Sequence, residues 1–274
     1  MKPFKLNDFT DPNVHAAYAK ALDATKPGTA TYQDDFEFAR LADQLREQAL
    51  DRSPLVEAAC RYLVLGQSGA LVGKSDPERF FHYAANAFRD AGLLQRAAES
   101  YFNSALLGFE RQKANQSANA TFAIRSAGRA KTLFAEVGDD EMSDLSHVIQ
   151  NRLKQVAYCG QNEYLPATIY RIWDLLSEFG TSSNRWARWL AATVVSFAIA
   201  YAILLRTKFA TTTVDATGFG ELLAPIYLSI GNLFQFGTIG TFNPQSPAAQ
   251  VICILHGMAA FVLLGTGATF LTRR

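Results

Sequence analysis

Apolar and polar positions follow two regimes along this chain. Up to about residue 180, apolar residues recur three and four apart among charged ones, as in amphipathic helices. Phe38, Leu41, Ala42 and Leu45 follow Tyr32 in this way, and Leu165, Ile169, Ile172, Trp173, Leu176 and Phe179 run up to Gly180. No stretch sustains the alternation of a half-buried strand. Asp11-Pro12, Ser53-Pro54 and Asp76-Pro77 each set a capping side chain before a proline suited to a first helical turn, and so mark helix starts. Farther on, the periodicity gives way to continuous apolar runs. Trp189–Leu205 is seventeen uncharged residues closed by Arg206 and Lys208, the short end of the range for one membrane crossing. Leu222–Thr272 then runs for fifty-one residues without an Asp, Glu, Lys or Arg, enough for two crossings of roughly 20 residues each.

Within the first regime the pattern returns on itself. Ala84, Phe88 and Gly92, four residues apart, reappear as Ala130, Phe134 and Gly138, displaced by 46 residues. Small residues allow close helix approach, the aromatic fills the space beside them, and the glycine ends the helix. After Gly92 the chain continues through Ala97-Ala98-Glu99-Ser100-Tyr101 to Ala105, whereas Ser143, Asp144 and His147 fill the matching positions of the second copy. A helix, a glycine turn and Ala-Ala-x-x-Tyr resemble the helix-pair repeats of tetratricopeptide proteins, in the longer form of soluble NSF attachment proteins. An irregular helical bundle is the alternative.

The long uncharged stretch does not divide into two plain helices. Thirteen mostly apolar residues from Ala224 to Phe236 run into Gly237-Thr238-Ile239-Gly240-Thr241-Phe242-Asn243-Pro244. Thirteen are too few for a crossing, and irregular backbone at membrane depth survives only when buried in protein or lining water. A half-helix followed by free carbonyls satisfies that condition, and ion pores use it. Tyr227-Leu228-Ser229, Leu233 and Gly237, eight residues past the serine, resemble the pore helix and filter start of two-transmembrane-helix potassium channels. Leu255-His256-Gly257 is similar to that family's inner helix with its hinge glycine. The resemblance covers about Trp189–Arg274. Aligned on spacing, the filter becomes Gln235-Phe236-Gly237-Thr238-Ile239-Gly240; aligned on composition, Thr238 to Asn243 fits after a three-residue insertion. Neither alignment restores Gly-Tyr-Gly, so the resemblance implies pore architecture without potassium selectivity. It also implies a homotetramer, each chain supplying one quarter of a filter built from Gln235, Phe236, Gly237, Thr238, Ile239, Gly240 and Thr241. His256 either lines the cavity, titrating near neutral pH, or packs as a neutral hydrogen-bonding group.

Charge and cysteine content narrow the rest. The chain has 26 basic and 25 acidic residues; six of the bases (Arg185, Arg188, Arg206, Lys208, Arg273, Arg274) and two of the acids (Asp215, Glu221) lie from Arg185 onward, leaving 20 and 23 before it. A mildly acidic front part argues against a nucleic-acid surface. Met1-Lys2-Pro3-Phe4-Lys5 has no apolar run behind it, so no secretory signal is expected. Cys60, Cys159 and Cys253 lie far apart, without metal-type spacing, and are expected to be reduced. His15, His82 and His147 are scattered, and no catalytic constellation, metal site or cofactor is expected. Gly73-Lys74-Ser75 resembles a phosphate-binding loop but lacks the earlier glycine, Ser68 standing in its place.

The expected fold is all-α. It comprises a cytosolic helical-repeat or bundle domain over 1–180, a linker and membrane interface over 181–188, and a two-helix transmembrane pore domain with a re-entrant pore helix over 189–274. Arg185-Trp186-Ala187-Arg188-Trp189 suits a membrane interface. Both termini are then cytoplasmic in a multi-pass plasma-membrane protein, with four arginines inside against Arg206 and Lys208 outside. The expected function is a tetrameric channel for monovalent cations, gated by a protein partner or ligand of the helical domain. The alternative is a non-conducting, membrane-anchored helical adaptor.

Overall fold

The computed structural model describes residues 11–24, 32–47, 51–72, 76–114, 120–212, 220–234 and 242–271. These form eleven α-helices and one two-stranded ribbon. The chain divides into two compact units, Met1–Tyr170 and Arg171–Arg274. The boundary falls inside a helix, ten residues before the expected end of the first domain.

The first unit holds α1 (Pro12–Ala24), α2 (Tyr32–Glu47), α3 (Arg52–Val72), α4 (Pro77–Asp90), α5 (Leu94–Lys113), α6 (Ala120–Glu136), α7 (Asp140–Gly160) and the start of α8 (Tyr164–Ser177). From α3 to α7 each helix packs chiefly on its neighbours in sequence, with smaller contacts between α4 and α6 and between α5 and α7. Close approaches occur where side chains are small. A β-carbon on Gly66 would sit 2.9 Å from the Phe81 ring, and one on Gly108 would sit 2.6 Å from Ala123 Cβ. Around these seams Tyr62, Leu63, Phe81, Phe88, Tyr101 and Phe134 are buried in one continuous core.

The 46-residue repeat is present in the backbone. Gly92 and Gly138 adopt φ of +75° and +78°. After α4, Gly92 N–H donates to Arg89 O (2.9 Å) and Leu93 N–H to Phe88 O (2.8 Å). After α6, Gly138 donates to Ala135 O (3.2 Å) and Asp139 to Phe134 O (2.8 Å). This is the Schellman pattern, which satisfies orphan carbonyls through a left-handed residue. Phe88 and Phe134 therefore both fill the core and close the turn. A third turn, unmarked in the sequence pattern, follows α7: Asn162 takes φ of +62° and Glu163 N–H reaches Tyr158 O at 2.9 Å.

Helix starts agree with the proline signals in position but not always in mechanism. Asp11 Oδ1 accepts from Asn13 N–H at 2.9 Å ahead of α1. Pro77 opens α4, yet Asp76 is left-handed and makes no side-chain cap; its carboxylate lies 3.6 Å from Arg79 instead. Ser53 is already helical, since α3 begins at Arg52.

The second unit holds the rest of α8, α9 (Ser183–Arg206), β1 (Ala210–Thr212), α10 (Gly220–Phe234), β2 (Phe242–Pro244) and α11 (Pro247–Leu271). Thr181–Asn184, expected as a linker, is the turn and first residues of α9, because Ser182 Oγ accepts from Arg185 N–H (3.3 Å) and caps the helix. Two helices, Ser183–Arg206 and Pro247–Thr269, are long and apolar enough to span a membrane. Only 17% of each apolar window is buried within the chain.

Alanine at Gly92 or Gly138 should lower the unfolding free energy by about 1–2 kcal/mol each, the left-handed penalty for a β-carbon. A β-carbon at either site meets nothing within 4 Å, so the loss is purely conformational. Asn162→Gly should act oppositely, by a few tenths of a kcal/mol. Chemical denaturation followed by far-ultraviolet circular dichroism measures all three.

Candidate functional site

The second unit is assembled around α10, the shortest of its three apolar helices α9, α10 and α11. Leu228, midway along α10, packs with Tyr201 and Leu204 of α9, Ala210 of β1 and Ala249 of α11. Leu233, five residues on, packs with Leu176 of α8, Leu190 and Val194 of α9, and Ala260 and Leu263 of α11. Numbers rise along α10 and α11 as they fall along α9, so both run antiparallel to α9. α10 has 15 residues, about 22 Å at 1.5 Å per residue, short of a 30 Å hydrocarbon core. β1 and β2 pair antiparallel, with Thr211 opposite Asn243, and Gln245 N–H extends the ribbon to Phe209 O at 2.8 Å. The chain that leaves β1, and forms α10, is thus found again at β2 beside its starting point.

Polar side chains join the three helices inside this apolar surround. Asn232 Nδ2 of α10 donates to the Tyr201 hydroxyl of α9 at 2.8 Å. The same hydroxyl lies 2.8 Å from His256 Nδ1 of α11. With the tyrosine proton given to Nδ1, the imidazole carries its own proton on Nε2. His256 is fully buried, its ring stacked on Phe197 at 4.0 Å, and Nε2 has no hydrogen-bond partner among the described residues. Of the two readings left open for His256, the described contacts are those of a packed, hydrogen-bonded group. Gly257 is exposed next to it, with nothing within 4 Å of where a β-carbon would stand. Ser229 Oγ of α10 adds a bond to Val194 O of α9 at 2.9 Å.

The opposite end is fastened by tryptophans. Trp186 Nε1 donates to Leu263 O (2.8 Å) and Trp189 Nε1 to Leu175 O (3.1 Å). Gly267 makes room for Trp186, whose ring would lie 2.8 Å from a β-carbon there. At the β-ribbon end, a cavity of about 960 Å³ between α9 and α10 has an apolar wall including Val195, Ile199 and Ile226, with Arg206 and Lys208 at its polar part. An apolar wall ending in long cations suits the edge of a hydrocarbon layer. The expected filter residues Gln235, Phe236, Gly237, Thr238, Ile239, Gly240 and Thr241 lie outside the described residues, as does Gly73-Lys74-Ser75.

The first unit contains a polar relay that helical spacing alone does not announce. Arg129 Nη1 lies 3.1 Å from His82 Nε2; a guanidinium only donates, so Nε2 accepts and the ring proton is on Nδ1. Nδ1 then donates to Ser126 Oγ (2.8 Å), which donates to Ser104 Oγ (3.1 Å), which donates to the Glu78 carbonyl (2.7 Å). The Glu78 side chain, fully buried, pairs with Arg111 at 2.7 Å. Burial, and then the charges of Arg129, Arg89 and Arg46, bring the His82 pKa down from 6.5 to about 4. The signal that sequence reading lacked is pairing at a distance, since Arg129 and His82 stand 47 residues apart. No group of three His, Cys, Asp or Glu side chains suited to a metal occurs among the described residues. Comparison of the chain with protein-family models, curated proteins and solved structures finds no match.

Two outcomes follow from these networks. Tyr201→Phe removes the bonds to both Asn232 and His256 and should cost about 1–2 kcal/mol, read as a lower unfolding midpoint in detergent. His82 has a folded pKa below its unfolded one, so the unfolded chain takes up a proton first as pH falls. Stability should be intact above pH 6.5 and decline towards pH 4, by at most about 3 kcal/mol. Unfolding midpoints of wild type and His82→Gln across that window check it, the variant giving the flatter profile.

Proposed function

We propose that this chain is one subunit of a membrane cation pore whose conducting strip follows α10. The observation carrying this reading is the path of the chain around α10. A helix too short to cross sets out from one end of two spanning-length helices, and the chain is regained at that same end, at β2. Seven residues, 235–241, make the connection, and they include Gly237 and Gly240. Glycine permits the backbone conformations that aim successive carbonyls at one axis, where they can replace an ion's hydration shell. The carboxyl end of α10 contributes a negative dipole beside them.

Four copies around an axis supply a full ring of carbonyls, and α10 has an uncovered apolar face to give to neighbours: Leu223, Ile226, Tyr227, Ile230 and Phe234 are all exposed. The pore passes sodium as well as potassium, because without Gly-Tyr-Gly fewer carbonyl rings stand in register. With Arg185, Arg188, Arg273 and Arg274 on the cytoplasmic side of a cell membrane, both termini and the helical unit face the cytosol. The helical unit is then the part that receives a signal.

Purified protein in liposomes, with sodium and potassium gradients, tests this directly. Flux of both ions, from particles of tetramer mass in nanodiscs, is the expected result. Gly237→Ala and Gly240→Ala should each reduce flux by at least about tenfold while leaving the mass unchanged, since the added methyl disfavours positive φ. Monomers without flux would leave a membrane-anchored adaptor as the reading.

A further inference from the structure

Between α4, α5, α6 and α7 the first unit has a cavity of about 560 Å³. Three arginines line it, Arg89, Arg125 and Arg129, with Tyr101, Thr132 and Gln150 among its other residues and no carboxylate in the lining. The seam that admits it is narrow: Gly128 lets the Gln150 amide come within 2.8 Å of where a β-carbon would stand.

Arg129 is held rigidly but not neutralised. Its Nη1 donates to His82 Nε2 (3.1 Å), Asn86 Oδ1 (3.0 Å) and the Tyr101 hydroxyl (3.2 Å), and its guanidinium carbon lies 5.5 Å from the Tyr101 ring centre. All these partners are uncharged at neutral pH. Among the described residues no carboxylate pairs with Arg125 or Arg129, while Arg89 shares Asp90 with Arg46 (3.2 and 3.1 Å). The nearby His82 pKa is lowered first by burial and then by the charges of Arg129, Arg89 and Arg46. A guanidinium anchored on one edge by neutral acceptors keeps its other edge free for a planar, bidentate partner, and phosphate fits that fork.

We propose that this cavity binds a small phosphate-bearing molecule, its phosphoryl oxygens shared by Arg89, Arg125 and Arg129. Gln150 offers a neutral amide on the same wall, and Thr132, whose hydroxyl donates to Gly128 O at 3.2 Å, would turn from that bond to donate to a phosphoryl oxygen. The volume is that of a single small-molecule site. The surroundings select against a long polyanion, because residues 1–184 carry 23 acidic against 20 basic side chains and would repel nucleic acid beyond the cavity mouth. The site stands apart from the pore reading, lying wholly within the first unit.

Isothermal titration of the full chain in detergent with inorganic pyrophosphate and with adenosine diphosphate tests the assignment, citrate serving as a phosphate-free polyanion. Saturable binding of a phosphate probe is expected, with Arg125→Gln and Arg89→Gln each weakening it by about 10- to 100-fold. Both side chains are exposed, so near-ultraviolet circular dichroism should show the fold retained. Lys20→Gln, on α1, removes the same charge elsewhere and should leave affinity within about twofold. Absence of binding at millimolar probe, citrate binding as tightly as pyrophosphate, or equal losses in all three variants would each overturn the proposal.

Discussion

In an apolar three-helix unit a buried polar group that loses its partner has no water to turn to, and Tyr201 stands where that constraint is met. Its hydroxyl accepts from Asn232 on one helix and reaches His256 on another, both at 2.8 Å. Apolar packing alone tolerates sliding, because one leucine contact resembles the next. A hydroxyl shared between two fixed nitrogens does not tolerate it: displacing α10 by one residue breaks the bond to Asn232, displacing α11 breaks the one to His256, and either costs desolvation of roughly 1–3 kcal/mol. Register of α10 against the two spanning-length helices, and hence where its carboxyl end sits, depends on this tie.

The helical unit meets the same need differently. Its helices are set in register where side chains seat against glycines, Phe81 on Gly66, Ala123 on Gly108 and Gln150 on Gly128, and by turns in which Phe88 and Phe134 serve both core and cap. Its buried polar groups also form a chain across three helices, from Arg129 through His82, Ser126 and Ser104 to Glu78. One end of that chain emerges at the surface as a cation. The burial that keeps His82 neutral also makes it an acceptor, and an acceptor there is what holds Arg129 in place.

Much of this was legible in the sequence because it is local. Helical spacing located the helices, prolines located starts to within two residues, and Gly92 and Gly138 identified two helix ends. Asn162 escaped notice because asparagine adopts the left-handed turn only when its surroundings favour it, whereas glycine announces the position. The cap at Ser182 escaped because serines and a threonine before a membrane segment also describe a flexible linker. The division near Tyr170 was invisible, since an amphipathic helix keeps one period whichever core its successive turns join. The relay and the arginine cavity were illegible for a plainer reason: their members lie tens of residues apart, and nothing in the identity of His82 or Arg129 names the other. At the candidate site, the short apolar helix and its place between two longer ones were readable from length and charge alone. The tie through Tyr201 and Asn232 was not, because both read as ordinary residues within apolar runs.

The distribution of exposed side chains carries the argument past a single copy. On α9, Val195, Ile199 and Ile203 form an exposed stripe one helical turn apart, and on α11 Ile254, Met258 and Phe261 do the same. In a membrane, lipid would cover such stripes on two spanning-length helices. α10 differs, because its exposed residues lie on a helix too short to cross, flanked by a chain that must satisfy its own backbone polar groups. Lipid offers those groups no donor or acceptor. Water or another protein surface does, and in the pore reading proposed above a ring of identical subunits would provide both, packing α10 between neighbours while enclosing water on the axis. Among the described residues nothing lies within 4 Å of where a β-carbon on exposed Gly257 would stand, and a helix approaches a neighbour closely, or bends, most easily where no side chain intervenes.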